Sequence, residues 1–437
     1  MEKQPIWLAG VDWASAAHLV CLLDADGNKM GERTFAHDGA GLAAMADWLV
    51  ATSGGQPDAI FVAIEVTHGP VVETLLERGF KVYGINPKQL DRFRDRFTLA
   101  GAKDDSRDAE VLADALRTDR HRLRSLTLGD PLVIELREWS RLAEDLTAER
   151  NRLTNRLREQ LWRYYPAILE LTDDFGAEWF LELWETAPTP DKARRVRATT
   201  IAKILKRHRI RRCDAAHVLD RLRQRPITVA DGTIVAATAH IHTLVARLRL
   251  INRQLKDAYN QLDRLLERLA AAQGDAPGQS GGQLDDVTII MSSPGIGRIN
   301  AAKLLAEGYD PLQRRDYQAL RCLCGVAPVT KRSGKSKHVV RRYACHPRLR
   351  EVAYHWARVA VQHDEPSRAK YRALRDRGHS HARALRSVAD RLLAVLCAML
   401  ENRTLFNPSL PSRHAPSEVV STGAERRGCG REALKIA

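Results

Sequence analysis

The sequence predicts an α/β domain followed by a long, almost wholly helical region. Three observations predict it: apolar strands alternate with helical stretches up to about Arg117, heptads of apolar residues fill two later segments, and a glycine-rich interruption precedes a third, mainly helical stretch.

The elements follow in order. Pro5–Asp12 (PIWLAGVD) reads as a buried strand and His18–Leu23 (HLVCLL) as a second. Asp24–Asn28 (DADGN) supplies turn chemistry towards a third strand around Glu32–Ala36. Gly41–Ala51 reads as a helix, Ala59–Val66 (AIFVAIEV) as an apolar strand, and Pro70–Arg78 as a helix. Lys81–Ile85 is a short strand, and helices follow to about Arg117. The order β-β-β-α-β-α-β-α describes a mixed sheet of ribonuclease H-like (RuvC-like) type rather than a doubly wound one. No glycine-rich phosphate loop follows a strand, which disfavours a nucleotide-binding fold.

From Leu136 the period changes. Leu136, Ala143, Leu157 and Tyr164 share one heptad position, which Arg150 breaks, and Trp139, Leu146 and Leu153 fill the companion position. A second series runs Ile234, Ile241, Leu248, Leu255, Leu262, Leu269, interleaved with Ala237, Leu244, Ile251, Ala258 and Leu265. Such spacing predicts long coiled-coil helices, paired with each other as an antiparallel hairpin or with a partner chain. The expected organisation is a metal-binding domain over 1–128, coiled-coil arms with a basic helical insert over 129–270, and a linker over 271–284. A helical C-terminal domain over 285–407 and a loose tail over 408–437 complete it.

The chain has 437 residues, with 69 Lys+Arg against 54 Asp+Glu, a formal charge of +15. Its 44% hydrophobic and 28% charged residues exclude wholesale disorder. The longest uninterrupted apolar run, Leu392–Leu400, is far short of the ~20 residues of a membrane span, and the N-terminus lacks a signal-peptide pattern. Seven scattered cysteines suggest reduced thiols and a cytoplasmic, nucleoid-associated protein. The charge is unevenly placed. Residues 1–100 hold 13 acids and 9 bases, whereas Lys192–Arg212 has ten bases, Arg321–Arg350 has nine, and neither window holds an acid. Two acid-free windows point to polyanion contact at defined places. Arg194, Arg195, Lys203, Lys206 and Arg207 are the candidates in the first window.

Four carboxylates can do chemistry. Asp12 closes the first strand, Glu65 closes the fourth, and Asp105 and Asp108 lie three apart on one helix face, off which Asp104 points. Each alone is most simply a surface or capping group. Together they form an all-oxygen set suited to Mg²⁺ or Mn²⁺, the ions of two-metal phosphoryl transfer. In the C-terminal region Gly295 and Gly297 form a tight turn whose N–H groups can hold a phosphate, or simply an ordinary helix–helix turn. Ser333 sits among Lys331, Arg332, Lys335 and Lys337, with Arg341 and Arg342 beyond. A serine there is a loop residue or, given cationic stabilisation, a nucleophile. Cys322 and Cys324 do not have zinc spacing.

These residues together resemble the insertion-sequence transposases with a DEDD catalytic domain, the bridge-RNA-guided recombinases. GVDWAS, AIEVTHGP and KDDSRDAEVLA match that family's RuvC-like domain; SSPGIGRINAAKLLAEGYDP and the stretch from LCGVAPVTKRSGKSKHVVRR match its C-terminal domain. The resemblance implies that Asp12, Glu65, Asp105 and Asp108 are the metal-binding tetrad and Ser333 the nucleophile. It implies a phosphoserine intermediate, donor and target DNA and a guide (bridge) RNA as partners, and a homo-oligomer, dimer or tetramer; no membrane is expected, from the short apolar runs. Two other functions fit the residues themselves: a RuvC-like junction nuclease that uses water, and a non-catalytic coiled-coil nucleic-acid-binding protein.

Overall fold

A computed structural model describes residues 6–96, 105–274, 284–334 and 336–408. The chain divides into two compact units, residues 1–130 and 131–437.

The first unit is the mixed sheet. Its elements are β1 (Trp7–Trp13), β2 (Ala17–Leu23), β3 (Lys29–Ala36), α1 (Gly39–Ser53), β4 (Ile60–Ile64), α2 (Pro70–Glu77) and β5 (Lys81–Gly84), then α3 (Pro87–Arg94), α4 (Asp105–Asp119) and β6 (Arg124–Ser125). The sheet order is β3-β2-β1-β4-β5-β6. β4 and β5 run parallel to β1, whereas β2, β3 and β6 each run antiparallel to a neighbour. The ribonuclease H-like order therefore stands, and the two-residue β6 is an addition the sequence pattern did not show. The β2–β3 turn forms because the Asp24 carboxylate accepts the N–H groups of Asp26 and Asn28 at 2.9 and 2.8 Å while Gly27 adopts φ 94°. Asp38 caps α1 by accepting from the Gly41 N–H, and Asn86 and Gln89 close a capping box on α3.

Alternation splits the sheet's residues between two cores. Ala9, Val11, Val20, Ile60, Val62 and Ile64 pack beneath α1 and α2, while Leu8, Cys21, Phe61 and Ala63 pack beneath α4. Gly10 lets α4 approach β1. A Cβ there would lie 1.9 Å from the Ala109 carbonyl oxygen and 2.7 Å from the Ala113 nitrogen, both backbone atoms. Gly10→Ala is therefore expected to push α4 off the sheet at a cost of about 3 kcal/mol, a drop in Tm of roughly 10 °C by calorimetry of the full chain. An unchanged Tm would show that α4 is not seated on β1 as described.

The second unit is built on two long helices, α5 (Pro131–Tyr164) and α10 (Thr233–Gly274). Contacts pairing Glu149 with Arg247, Arg150 with Asn252 and Glu135 with Arg268 run in opposite sequence directions, so the pair is antiparallel. Leu136, Ala143, Leu153 and Leu157 of α5 are buried, as are Ile241, Leu248, Leu255 and Leu262 of α10. The heptad seams are thus consumed within one chain. Arg150 interrupts its heptad because a polar layer crosses the seam: its Nε donates to Asn252 at 2.9 Å and another guanidinium N–H to Asp174 at 2.7 Å. By length and composition part of α10 also passes as a membrane span, with mean hydropathy 1.3, yet its apolar stripe faces α5. The expected linker over 271–284 falls largely outside the described residues.

Between the arms lie α6 (Glu178–Thr186), α7 (Pro190–Arg195), α8 (Ala198–Arg207) and α9 (Ala215–Leu222). Buried Tyr164 ties them to α5: its hydroxyl donates to the Pro188 carbonyl at 2.7 Å and accepts from the Trp184 indole at 3.1 Å. After α10 come α11 (Asp286–Met291), α12 (Gly297–Gln313), α13 (Tyr317–Leu323), β7 (Val329–Ser333), β8 (Ser336–Val340), α14 (Pro347–His363), α15 (Glu365–Asp376) and α16 (His381–Asn402). These helices share one apolar core with the arms. The buried Glu307 carboxylate of α12, 3.1 Å from Arg141 of α5 and 3.5 Å from His346 before α14, adds a polar tie.

Candidate active site and nucleic-acid interface

β1 and β4 pair in parallel, and their last register pair is Val11 with Ile64. The next residues are Asp12, which does not close β1 but is still paired with Leu19 of β2, and Glu65, which comes just past β4, so the two stand at the same end of neighbouring strands. Alternation puts both on the α4 side, in step with Leu8 and Gly10 on β1 and with Phe61 and Ala63 on β4. Arg117, near the end of α4, lies beside Gly27 at the other edge of the sheet, where β2 ends. The first turn of α4, with Asp105 and Asp108, is at the opposite end of the helix, where Ser106 donates to Glu32 of β3 at 2.6 Å. Only the backbone of Asp105 is described; it opens the helix.

Asp108 is buried, 7% exposed, and its charge is met by Arg94 of α3. Arg94 Nε donates to one carboxylate oxygen at 2.5 Å and a terminal N–H to the other at 2.6 Å, a bidentate pair. The Asp108 hydrogen bond raises the Arg94 pKa above its ordinary value against the opposing effect of burial, and the charges of Asp91 and Glu65 add to the rise. Glu65 is thus in electrostatic reach of the same guanidinium. Among the described residues no three ligating side chains are gathered as a metal group. What the structure shows is Asp108 paired with Arg94, an arginine that supplies the positive charge its buried carboxylate requires.

In the second unit Ser333 is the last residue of β7 and is exposed, before a tight turn in which Gly334 takes φ 54°. Lys335 lies outside the described residues, and Lys337 is described by its backbone alone. The hairpin register pairs Ser333 with Ser336, Lys331 with His338, and Arg332 with Lys337. Directly opposed residues share a face, so Lys331, Ser336 and His338 share the face of Ser333, and Arg332 takes the other. His338 is a diagonal neighbour of Ser333, at a spacing of about 7–8 Å. Sequence reading named the bases around the serine and missed this imidazole. Only the strand register, set by the Gly334 turn, brings it to that face.

The remaining basic candidates divide. Arg194, Arg195, Lys203 and Lys206 are exposed on α7 and α8, whose inward faces bury Ala193, Ile201, Ile204 and Leu205. Arg207 is exposed too, but pairs with Glu182, which also meets His208 at 2.7 Å. Arg342 donates to the Ala327 carbonyl at 3.3 Å, while Arg341 rests over the Tyr343 ring, 5.4 Å from its centroid. Gly295 and Gly297 both have positive φ, 77° and 64°. A Cβ at Gly295 would come 2.7 Å from the Ala360 nitrogen, so close packing on α14 requires that glycine, whereas Gly297 faces open space.

Comparison with known proteins matches residues 9–166 to a transposase family of the DEDD, IS110 type, and residues 287–372 to the transposase family IS116/IS110/IS902. A putative transposase of Sinorhizobium fredii is 68% identical over 241 residues, 52% of this chain and 67% of that protein. The mini-circle putative transposase for IS117 of Streptomyces coelicolor is 32% identical over 409 residues, covering 91% of this chain and 94% of that one. An uncharacterised 42 kDa protein of insertion element IS900 from Mycobacterium paratuberculosis is 28% identical, covering 93% and 98%.

Proposed function

The chain belongs to the IS116/IS110/IS902 family of transposases, and from that premise we propose that it cuts and rejoins DNA through a phosphoserine link at Ser333, with a divalent cation held by Asp12, Glu65, Asp105 and Asp108. It is a mobile-element transposase, an enzyme that acts on DNA. The observation that carries the finer reading is the position of Ser333: exposed, at the tip of a hairpin, with Lys331 and His338 on its own face.

In the proposed step the Ser333 Oγ attacks a DNA phosphorus. The bond from phosphorus to one strand oxygen breaks, and that oxygen leaves as a hydroxyl after taking up the proton the serine gave, passed on by the base or by water. The serine proton passes to a base, for which His338 is the nearest imidazole by register, directly or through one water. Attack on the phosphoserine by another strand's hydroxyl reverses the chemistry, so bond energy is kept for joining. Lys331 supplies charge where the phosphoryl oxygens become more negative. The all-oxygen donor set of the first unit suits Mg²⁺ or Mn²⁺, which when bound would supply Lewis-acid charge to a phosphate.

The exposed bases of α7 and α8 are our candidates for backbone contact. Guide-RNA pairing as the source of sequence choice, and a dimer or tetramer as the working state, belong to the same reading and rest on the family resemblance. Incubation with donor and target DNA, RNA and Mg²⁺, then denaturation and peptide mapping, tests it. DNA covalently attached at Ser333 is the expected result. Recombination without the adduct would overturn the serine mechanism in favour of hydrolysis by water.

Arg94 carries a separate expectation. Arg94→Gln leaves the Asp108 carboxylate buried without its partner, and the protein should lose about 2–3 kcal/mol in EDTA. If a divalent cation binds this carboxylate, Mn²⁺ should recover most of the lost Tm in the variant and shift the wild type less. Equal Mn²⁺ responses would sink the assignment of Asp108 as a ligand.

A further inference from the structure

The β7–β8 hairpin has two faces, and only one of them carries Ser333. Register and alternation put Thr330, Arg332 and Val339 on the opposite face, with Thr330 and Val339 directly paired. The faces differ at the root of the hairpin. On the serine face Val329 and Val340 are half-buried, whereas on the other Thr330 is exposed and Val339 is 59% exposed. A two-stranded hairpin with an uncovered face is marginal in water, and a branched apolar side chain left open on it gains from a surface that covers it.

Charge narrows what that surface is. The window Arg321–Arg350 has nine bases and no acid. Those towards its ends are held within the fold: Arg321 pairs with Asp390 at 2.5 Å and Arg348 with Glu144 at 2.6 Å. Lys331 and Arg332 of the ribbon are exposed and, among the described residues, have no carboxylate partner. An anionic surface is their complement. Shape narrows it further. Two strands about 4.8 Å apart, with their side chains, fit the major groove of B-DNA, about 12 Å wide, and exceed its minor groove, about 6 Å wide. The major groove of an RNA duplex is too narrow for them. Thymine adds a feature that a valine can read, because its C5 methyl group lies in the major groove.

We propose that the face of Thr330, Arg332 and Val339 docks in the major groove of duplex DNA, with Val339 against a thymine methyl and Arg332 on a backbone phosphate. The ribbon then grips a duplex with one face and presents Ser333 from the other. The inference rests on the chain's action on DNA and is independent of the serine mechanism.

The full chain is titrated by fluorescence anisotropy, over a range of salt, with three duplexes of one mixed sequence: DNA, DNA carrying deoxyuridine for every thymidine, and RNA. Wild type should bind the thymine duplex about fourfold tighter than the uracil duplex, the worth of one buried methyl contact. Val339→Ser should lose about fourfold on the thymine duplex and hold the thymine preference below about twofold, while Val339→Ile keeps it. Arg332→Gln should weaken both DNA duplexes about fivefold and lower their salt slope by roughly 0.9, the loss of one phosphate contact. Binding of the RNA duplex should not respond to Val339→Ser. Circular dichroism and Tm of each variant control for folding, and the thymine–uracil comparison in the wild type needs no variant.

Equal wild-type affinity for the two DNAs, or a full thymine preference in Val339→Ser, would overturn docking in the major groove. An unchanged salt slope in Arg332→Gln would overturn the phosphate contact, and an equal Val339→Ser loss on RNA would overturn DNA as the occupant. In each of these cases the chain still binds DNA and the function stands. A wild-type chain that binds none of the duplexes would overturn the function and the docking together.

Discussion

Ser333→Ala is expected to lower strand joining by about 10⁴-fold or more, while DNA affinity stays within about twofold of wild type. The size follows from the proposed chemistry, in which the Ser333 Oγ is the atom that bonds to phosphorus and no neighbour can replace it without a different mechanism. Binding should survive for structural reasons. Ser333 is exposed, its role in the hairpin is the backbone register with Ser336, and the turn is made by Gly334. Alanine keeps all of these, so the hairpin and its face of Lys331 and His338 remain. Labelled DNA run under denaturing conditions reads the result, with the retarded protein–DNA band lost in the variant. Cutting that persists in Ser333→Ala would move the function to a RuvC-like nuclease.

Much of this arrangement was legible in the sequence wherever burial wrote a pattern. Strands β1, β2 and β4 are apolar because both faces of the sheet are covered there, and the order of elements named the fold. The arms were legible because a seam buried along two helices must repeat every 3.5 residues, and even the break at Arg150 had a cause, in Asn252 and Asp174. The β7–β8 hairpin left little trace as secondary structure, since VTKRS and SKHVV lie largely exposed and carry no apolar alternation. His338 was therefore hidden, although its serine was not. Arg94 was hidden for another reason: one arginine in the run DRFRDR looks like its neighbours until α3 and α4 bring it against Asp108, fourteen residues on.

Asp12→Asn should reduce strand cleavage by about 10³-fold, equivalent to about 4 kcal/mol in the barrier, and remove the stabilisation by Mn²⁺. The substitution keeps the size of the side chain and takes away one negative charge. Its effect on the fold should be small: β1 is held by Leu8, Ala9 and Val11 in two cores and by pairing with β2 and β4. Arg94 continues to neutralise Asp108, so Tm in EDTA should stay within a few degrees of wild type, unlike Arg94→Gln. DNA affinity should hold or rise slightly, because a carboxylate near a phosphate repels it and an amide does not. A falling rate beside steady or tighter binding places the loss in the chemical step. Full activity and an unchanged Mn²⁺ shift in Asp12→Asn would remove Asp12 from the metal set, and with it the argument that the C-terminal edge of β1 and β4 is where the cation sits.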